Sequence, residues 1–264
     1  MGKQMELTTL FRKHKDEEFI FFKPNVGNWG DNLIRLGAEK LANRYDIYFE
    51  REEEVKSYPG KIIYIHGVGG IGKVYRGVAN KVKDLREYNP DNLIIFGPTT
   101  AMLHPNHLKE ELPLEDENLI FFAREKTTLN FMRENFNFRI YLDDCPSLHL
   151  TEEDIYEFSP TTIENPKLSY LFLRSDEFEK IDKLPKNIKL NSFHTICDPA
   201  DEAVTFQDYL NYHIQPRKIT TNRCHSAILG MILGKKVFMF RNNYHKNRSI
   251  WEYSLRDKGV KWLN

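Results

Sequence analysis

The sequence predicts an α/β protein of two Rossmann-like lobes with parallel sheets, on three observations. Short apolar runs alternate with helix-like stretches along the chain. The runs are continuous rather than alternating, and a polar segment without periodicity divides the series in two. Strands covered by helices on both faces read as unbroken apolar runs, and strand–helix–strand repetition argues for a parallel sheet. A length of 264 residues suits either one large domain or two small ones.

The first strand is read in EFIFFKP (18–24), followed by GDNLIRLGAEKLANRY (30–45). There Leu33, Leu36 or Gly37, and Leu41 recur on one face at helical spacing. DIYFER (46–51) and KIIYIHG (61–67) are the next strands, and VYRGVANKVKDL (74–85) has a helical pattern. NLIIFGP (92–98), NLIFFARE (118–125) and RIYLDD (139–144) continue the series, with a helix over KTTLNFMREN (126–135). Residues 151–167 hold acids, two prolines and no period, and are read as a linker. The expected lobes are therefore 1–155 and 156–264. In the second, strands are expected in LSYLFLRSD (168–176), NIKLNSFHT (187–195), KITTN (218–222) and KKVFMF (235–240), with a helix over 201–213. Ile228, Leu229, Ile232 and Leu233 predict a further helix, which Gly234 stops.

Composition narrows the function. Thirty-eight basic residues balance thirty-eight acidic ones, so nothing global points to nucleic acid or an anionic membrane. Three widely spaced cysteines form neither a disulfide framework nor a zinc pair, which favours a reducing, cytoplasmic setting. The N-terminus lacks the apolar core of a signal peptide. The longest apolar runs fall far short of the roughly 20 residues a spanning helix needs. Peripheral contact with the inner face of a membrane stays open.

Several stretches could carry chemistry. NVGNWGDNLI (25–34) puts Gly27 and Gly30 between a strand and a helix. Asn28 could there offer its amide to a ligand oxygen, while Asp31 as a helix cap is the structural alternative. HGVGGIGKVY (66–75) resembles a phosphate loop, with Gly69 and Gly70 in a candidate nest of N–H groups. It lacks the Walker spacing, because Val74 follows Lys73. Arg124 ends a strand, pointing toward the usual ligand crevice of an open α/β sheet; a surface ion pair is the alternative. Arg223 and His225 sit at a strand-to-helix junction, where free N–H groups and the helix dipole favour an anion. His104 and His107 have HxxH spacing, but Pro105 interrupts the face and a loop with two ordinary histidines is expected. No metal-ligand cluster is visible in the sequence.

In order, GNWGDNLI (27–34), HGVGG (66–70), FGPTT (96–100), FFARE (121–125), DDCP (143–146), TNRCHSAILGMILGKKV (221–237) and RNNYHKNRS (241–249) resemble the polysaccharide pyruvyl transferase family. The resemblance implies the B-type glycosyltransferase architecture and transfer of a pyruvyl group from phosphoenolpyruvate to two hydroxyls of a saccharide. The product is a cyclic ketal of exopolysaccharide or cell-surface glycan synthesis. By the same resemblance Asn28, Arg124, Arg223 and His225 bind the donor, with Gly69 and Gly70 beside it and Lys246 in the closing loop. Cys224 stands where the family commonly has leucine, Thr99 and Thr100 replace its Gln-Ser, and Val68 breaks its glycine triplet.

Two arginines suit phosphoenolpyruvate, since each guanidinium can pair with a carboxylate or phosphate. His225 is expected to be the general acid, Arg223 and Asn28 to complete the catalytic set, and Asp31 to cap its helix or act as base. No cofactor is expected beyond the donor substrate. The acceptor, lipid-linked or polymeric, is not specified by the sequence. A nucleotide-sugar glycosyltransferase and a silent glycan-binding relative are the alternatives.

Overall fold

The computed structural model describes residues 5–25, 27–72, 75, 77–160, 168–176, 179, 181 and 183–264. It divides into two compact units: Met1–Gly27 with Ile34–His149, and Asn28–Leu33 with Leu150–Asn264. The boundary expected at 155 thus lies at His149, and the turn at residues 28–33 belongs to the second lobe.

The first lobe contains α1 (Leu7–Lys13), β1 (Phe19–Phe22), most of α2 (Trp29–Asn43), β2 (Phe49–Glu52), β3 (Ile62–Ile65), α3 (Lys81–Tyr88), β4 (Ile94–Thr99), α4 (Pro105–Glu111), β5 (Glu115–Ala123), α5 (Lys126–Asn135) and β6 (Asn137–Leu142). Its six strands are parallel, in the order β2-β1-β3-β4-β5-β6. β1, β3 and β4 are buried along their whole length, which is why their sequences run apolar without alternation. Phe21 stacks on Phe49 of the neighbouring strand at 4.2 Å and lies 4.8 Å from Tyr64.

Two close approaches fix this lobe's helices. A Cβ on Gly37 would stand 2.2 Å from the carbonyl oxygen of Pro146, so only glycine lets α2 reach that backbone. Gly37→Ala is expected to lower the thermal midpoint through a cost of about 1–3 kcal/mol, the usual range for overpacking. The other approach is at Asp143, whose carboxylate accepts N–H bonds from Leu7 at 2.6 Å and Asp144 at 2.8 Å. It thereby ties the start of α1, which the sequence did not reveal, to the end of β6.

The second lobe contains α6 (Glu152–Tyr156), β7 (Ser169–Phe172), β8 (Thr195–Cys197), α7 (Pro199–Glu202), α8 (Phe206–Ile214), β9 (Lys218–Thr221), α9 (Cys224–Ile232), β10 (Lys236–Phe240), α10 (Lys246–Ile250) and β11 (Lys261–Leu263). Its five parallel strands follow the order β11-β10-β9-β7-β8. Counted within each lobe, both sheets therefore share the winding 2-1-3-4-5, and the first adds one strand. No sequence repeat announces this.

Five local expectations need correction. Part of the linker is the helix α6, closed by a capping box between Thr151 and Asp154; residues 161–167 lie outside the described ones. Pro105 does not break a helix but starts α4 at its first turn, where its missing N–H costs nothing. The single helix expected over 201–213 is two, because Thr205 caps α8 afresh. The strand expected over 187–195 is a 3-10 turn, Leu190–Ser192, followed by β8. The helix expected from residue 74 is described from Lys81.

Buried titratable groups set the acid response. Burial, with Arg35 and Arg51 nearby, lowers His66 to about 3. Burial likewise lowers His213 to about 4, against a bond to the Tyr209 carbonyl that raises it. A lowered imidazole stabilises the fold above its ordinary pKa and loses that contribution as pH falls toward the folded value. Asp143 has the opposite sign: burial raises it to about 6, so its contribution is present at low pH and lost as pH rises to 6. Between pH 6 and 4, two histidines outweigh one carboxyl by one proton. Stability summed over both lobes should fall by ~1.4 kcal/mol per pH unit there. Denaturant unfolding across that range checks it, and His213→Phe should flatten the slope. No helix among the described residues is long and apolar enough to cross a membrane.

Candidate functional site

In an open α/β sheet ligands bind at the carboxyl ends of the strands, where the strand order reverses. In the first lobe that point lies between β1 and β3, and the glycine-rich stretch beginning at His66 leaves β3 there. The stretch is pressed onto the end of β4. A Cβ on Gly67 would stand 2.3 Å from the Pro98 carbonyl oxygen, and one on Gly70 2.9 Å from the Tyr75 ring. Thr99 Oγ1 donates to the Val68 carbonyl at 2.9 Å, and Ile71 N–H donates to that of Thr100 at 2.9 Å.

Arg124 completes this clamp. Its Nε donates to Thr100 Oγ1 at 2.7 Å and its Nη2 donates to the Gly69 carbonyl. The side chain is fully buried. Sequence reasoning gave Arg124 to an anionic ligand; the structure turns its guanidinium inward, where it braces the glycine loop. Thr99 and Thr100 supply partners for this brace.

In the second lobe the order reverses between β7 and β9. Arg174 follows β7, Asp198 follows β8, and Arg223 and His225 follow β9. Arg223, 7% exposed, makes a two-pronged bond to Asp198: Nε to Oδ1 at 2.8 Å, and Nη2 to Oδ2. Asp176 and Asp201 lie 3.7 and 3.6 Å from the same nitrogen. Asp198 also accepts from the Ser175 N–H at 2.9 Å and caps α7. A carboxylate of the protein thus occupies the fork that was expected to hold the donor.

A second buried group adjoins it. Glu179 is fully buried and accepts from Lys246 Nζ at 2.5 Å, Asn242 Nδ2 at 2.8 Å and Tyr244 Oη at 3.2 Å, and pairs with Arg174 at 2.8 Å. Lys246, expected in a closing loop over substrate, is 3% exposed and held by this carboxylate at the start of α10.

His225 has a different setting. It is half-buried in the first turn of α9, where Arg223 occupies the N-cap without a side-chain cap bond. Against it lies the first turn of α2. A Cβ on Gly30 would stand 2.4 Å from His225 Nδ1 and 3.0 Å from Asn28 Oδ1, so the imidazole rests on the glycine backbone. Asn28 is exposed and caps α2: its Oδ1 accepts from Gly30 N–H at 2.8 Å, and its own N–H donates to Asp31 Oδ2 at 3.1 Å. Asp31, 6% exposed, thus closes a reciprocal box from the third helical position. Trp29 anchors the turn, donating Nε1–H to the Ala203 carbonyl at 2.9 Å and packing 6.3 Å from Phe206. Two helix N-termini therefore meet at His225 and Asn28, each presenting the positive end of a dipole.

The structure groups Asn28, Gly30 and His225, and separately Arg223 with Asp198. It places Arg124, Gly69 and Gly70 in the other lobe. Sequence reasoning missed Arg174, Asp176, Glu179 and Asp198. For Asp198 a signal existed, since Asp followed by Pro after an apolar run marks a helix start. Cys145, Cys197 and Cys224 are buried thiols; burial, reinforced by Glu202 and Asp198, pushes Cys197 up to about 12. Among the described residues no group of three or more His, Cys, Asp or Glu side chains could hold a metal ion.

No protein-family model matches the chain. General stress protein 30 of Bacillus subtilis is 22% identical over 285 residues, spanning 94% of this chain and 78% of that protein. The crystal structure of a functional uncharacterized protein from Klebsiella pneumoniae aligns with a TM-score of 0.67 and 20% identity, over 97% of this chain and 96% of that one. This likeness shows the fold: an α/β protein with two Rossmann-like parallel sheets.

Proposed function

We propose that the protein is a phosphoenolpyruvate-dependent pyruvyl transferase that forms a ketal on a glycan or lipid-linked saccharide. The observation that carries this reading is the meeting of the α2 and α9 N-termini around Asn28 and His225. Helix N-termini bind anions through free N–H groups and the dipole, and the donor is an anion with a carboxylate and a phosphate. An imidazole there can both give and take a proton near neutral pH.

The reaction balances with His225 alone as proton carrier. Its proton passes to the enol methylene, a saccharide hydroxyl adds at the adjacent carbon, and His225 recovers a proton from that hydroxyl. Phosphate then leaves with the electrons of its C–O bond, and takes up the proton that the neighbouring hydroxyl releases as it closes the ketal. Asn28 orients the donor or the attacking hydroxyl. Arg223 acts from behind, holding the α9 turn in shape.

Phosphoenolpyruvate should raise the thermal midpoint, and phosphate should be released from it when a saccharide acceptor is added. Stabilisation by nucleotide sugars and not by phosphoenolpyruvate would instead assign a glycosyltransferase. The occupied fork at Arg223 favours one further reading, a glycan-binding relative without turnover. Donor binding with no phosphate release across a panel of acceptors would select it.

A further inference from the structure

Two cavities of the second lobe, of about 460 Å³ each, are opposite in charge among the described residues that line them. Glu202 and Asp208 line one, with no cation. Lys183, Lys186 and Arg241 line the other, with Leu184, Pro185, Trp262, Leu263 and Asn264, and no acidic side chain among the described residues. The basic cavity lies at the carboxyl end of the sheet. Arg241 directly follows the last residue of β10, and Trp262 sits on β11 opposite Met239.

Its chemistry is two-sided. Three lining cations attract a multiply charged anion. Trp262 is half-buried, packed 5.5 Å from Trp251 and with Arg248 5.0 Å over its ring, and so is a firmly held aromatic wall. Indole surfaces bury the flat apolar faces of rings. The volume falls within the roughly 300–1,000 Å³ usual for small-molecule sites.

We propose that this cavity is a second ligand site, for a phosphate ester whose other end is a ring with an apolar face. The inference is independent of the reading of His225. A sugar phosphate and a nucleotide share that chemistry.

The Trp262 indole N–H resonance, assigned with Trp262→Phe, is the probe. Glucose 1-phosphate or uridine monophosphate should shift it saturably, and the tighter of the two names the ring. The Lys186→Ala/Arg241→Ala double variant, altered only at exposed positions, should weaken binding at least tenfold. Inorganic phosphate should bind at least tenfold more weakly than the better ester, and glucose should leave the resonance in place. The site is refuted if neither ester moves the resonance, or if glucose or free phosphate binds as well as the esters. Unchanged affinity in the double variant refutes it equally.

Discussion

Glu179→Ala should lower the unfolding free energy of the second lobe by about 3–5 kcal/mol, the usual cost of removing one partner from a buried charge pair. Glu179 is fully buried, and four groups depend on it: Lys246, Arg174, Asn242 and Tyr244. Without it, the ammonium of Lys246, 3% exposed and 5.3 Å from the Tyr244 ring, loses its buried carboxylate. Arg174 fares better, because Asp176 also accepts from it. Removing both charges, as in Glu179→Leu/Lys246→Met, should recover part of the loss, since an apolar pair of similar volume leaves no stranded charge. Urea unfolding of the three proteins measures this. A single-variant cost below about 1 kcal/mol would mean that water reaches the pair and screens it.

What could be read from the sequence follows from the range of the forces involved. Strands buried on both faces must be apolar throughout, so FIFF at β1 and IIYI at β3 declared themselves. Helix caps were less legible. Asn28 looked like a ligand-binding amide and Asp31 like the cap, whereas the two cap the same helix from its two ends of one box. In the sequence Pro105 reads as a breaker because its place, first turn or interior, depends on where α4 starts.

The arginines show where sequence reasoning stops. Arg124 and Arg223 each stand at a strand's carboxyl end, as expected of anion-binding residues. Which acceptor a guanidinium meets is decided by residues far along the chain. For Arg124 these are Gly69 and Thr100, and for Arg223 it is Asp198. A fork suited to a substrate carboxylate is equally suited to an internal one, and composition does not distinguish them. The shared winding of the two sheets was hidden for a related reason, because topology constrains burial and turn placement but not residue identity.

His225→Ala should reduce turnover by about 10²–10⁴-fold, the range for loss of a general acid–base, while leaving phosphoenolpyruvate affinity within about threefold. The separation arises because the anion is held by the helix N-termini, and the imidazole moves protons. The substitution truncates a half-buried side chain on the first turn of α9, so the thermal midpoint should change little and lost activity will not reflect unfolding. Gly30→Ala tests the same geometry without removing the imidazole. Its Cβ would fall 2.4 Å from Nδ1 and 3.0 Å from Asn28 Oδ1, so the ring must swing off the helix end. Turnover should fall in Gly30→Ala as well, and the His225 ring resonances should move. Positioning matters on this scale because displacement of a reacting group by about 1 Å can cost 10²-fold in rate. Normal turnover by His225→Ala would remove the imidazole from the chemistry and leave the paired helix ends as an anion-binding site alone.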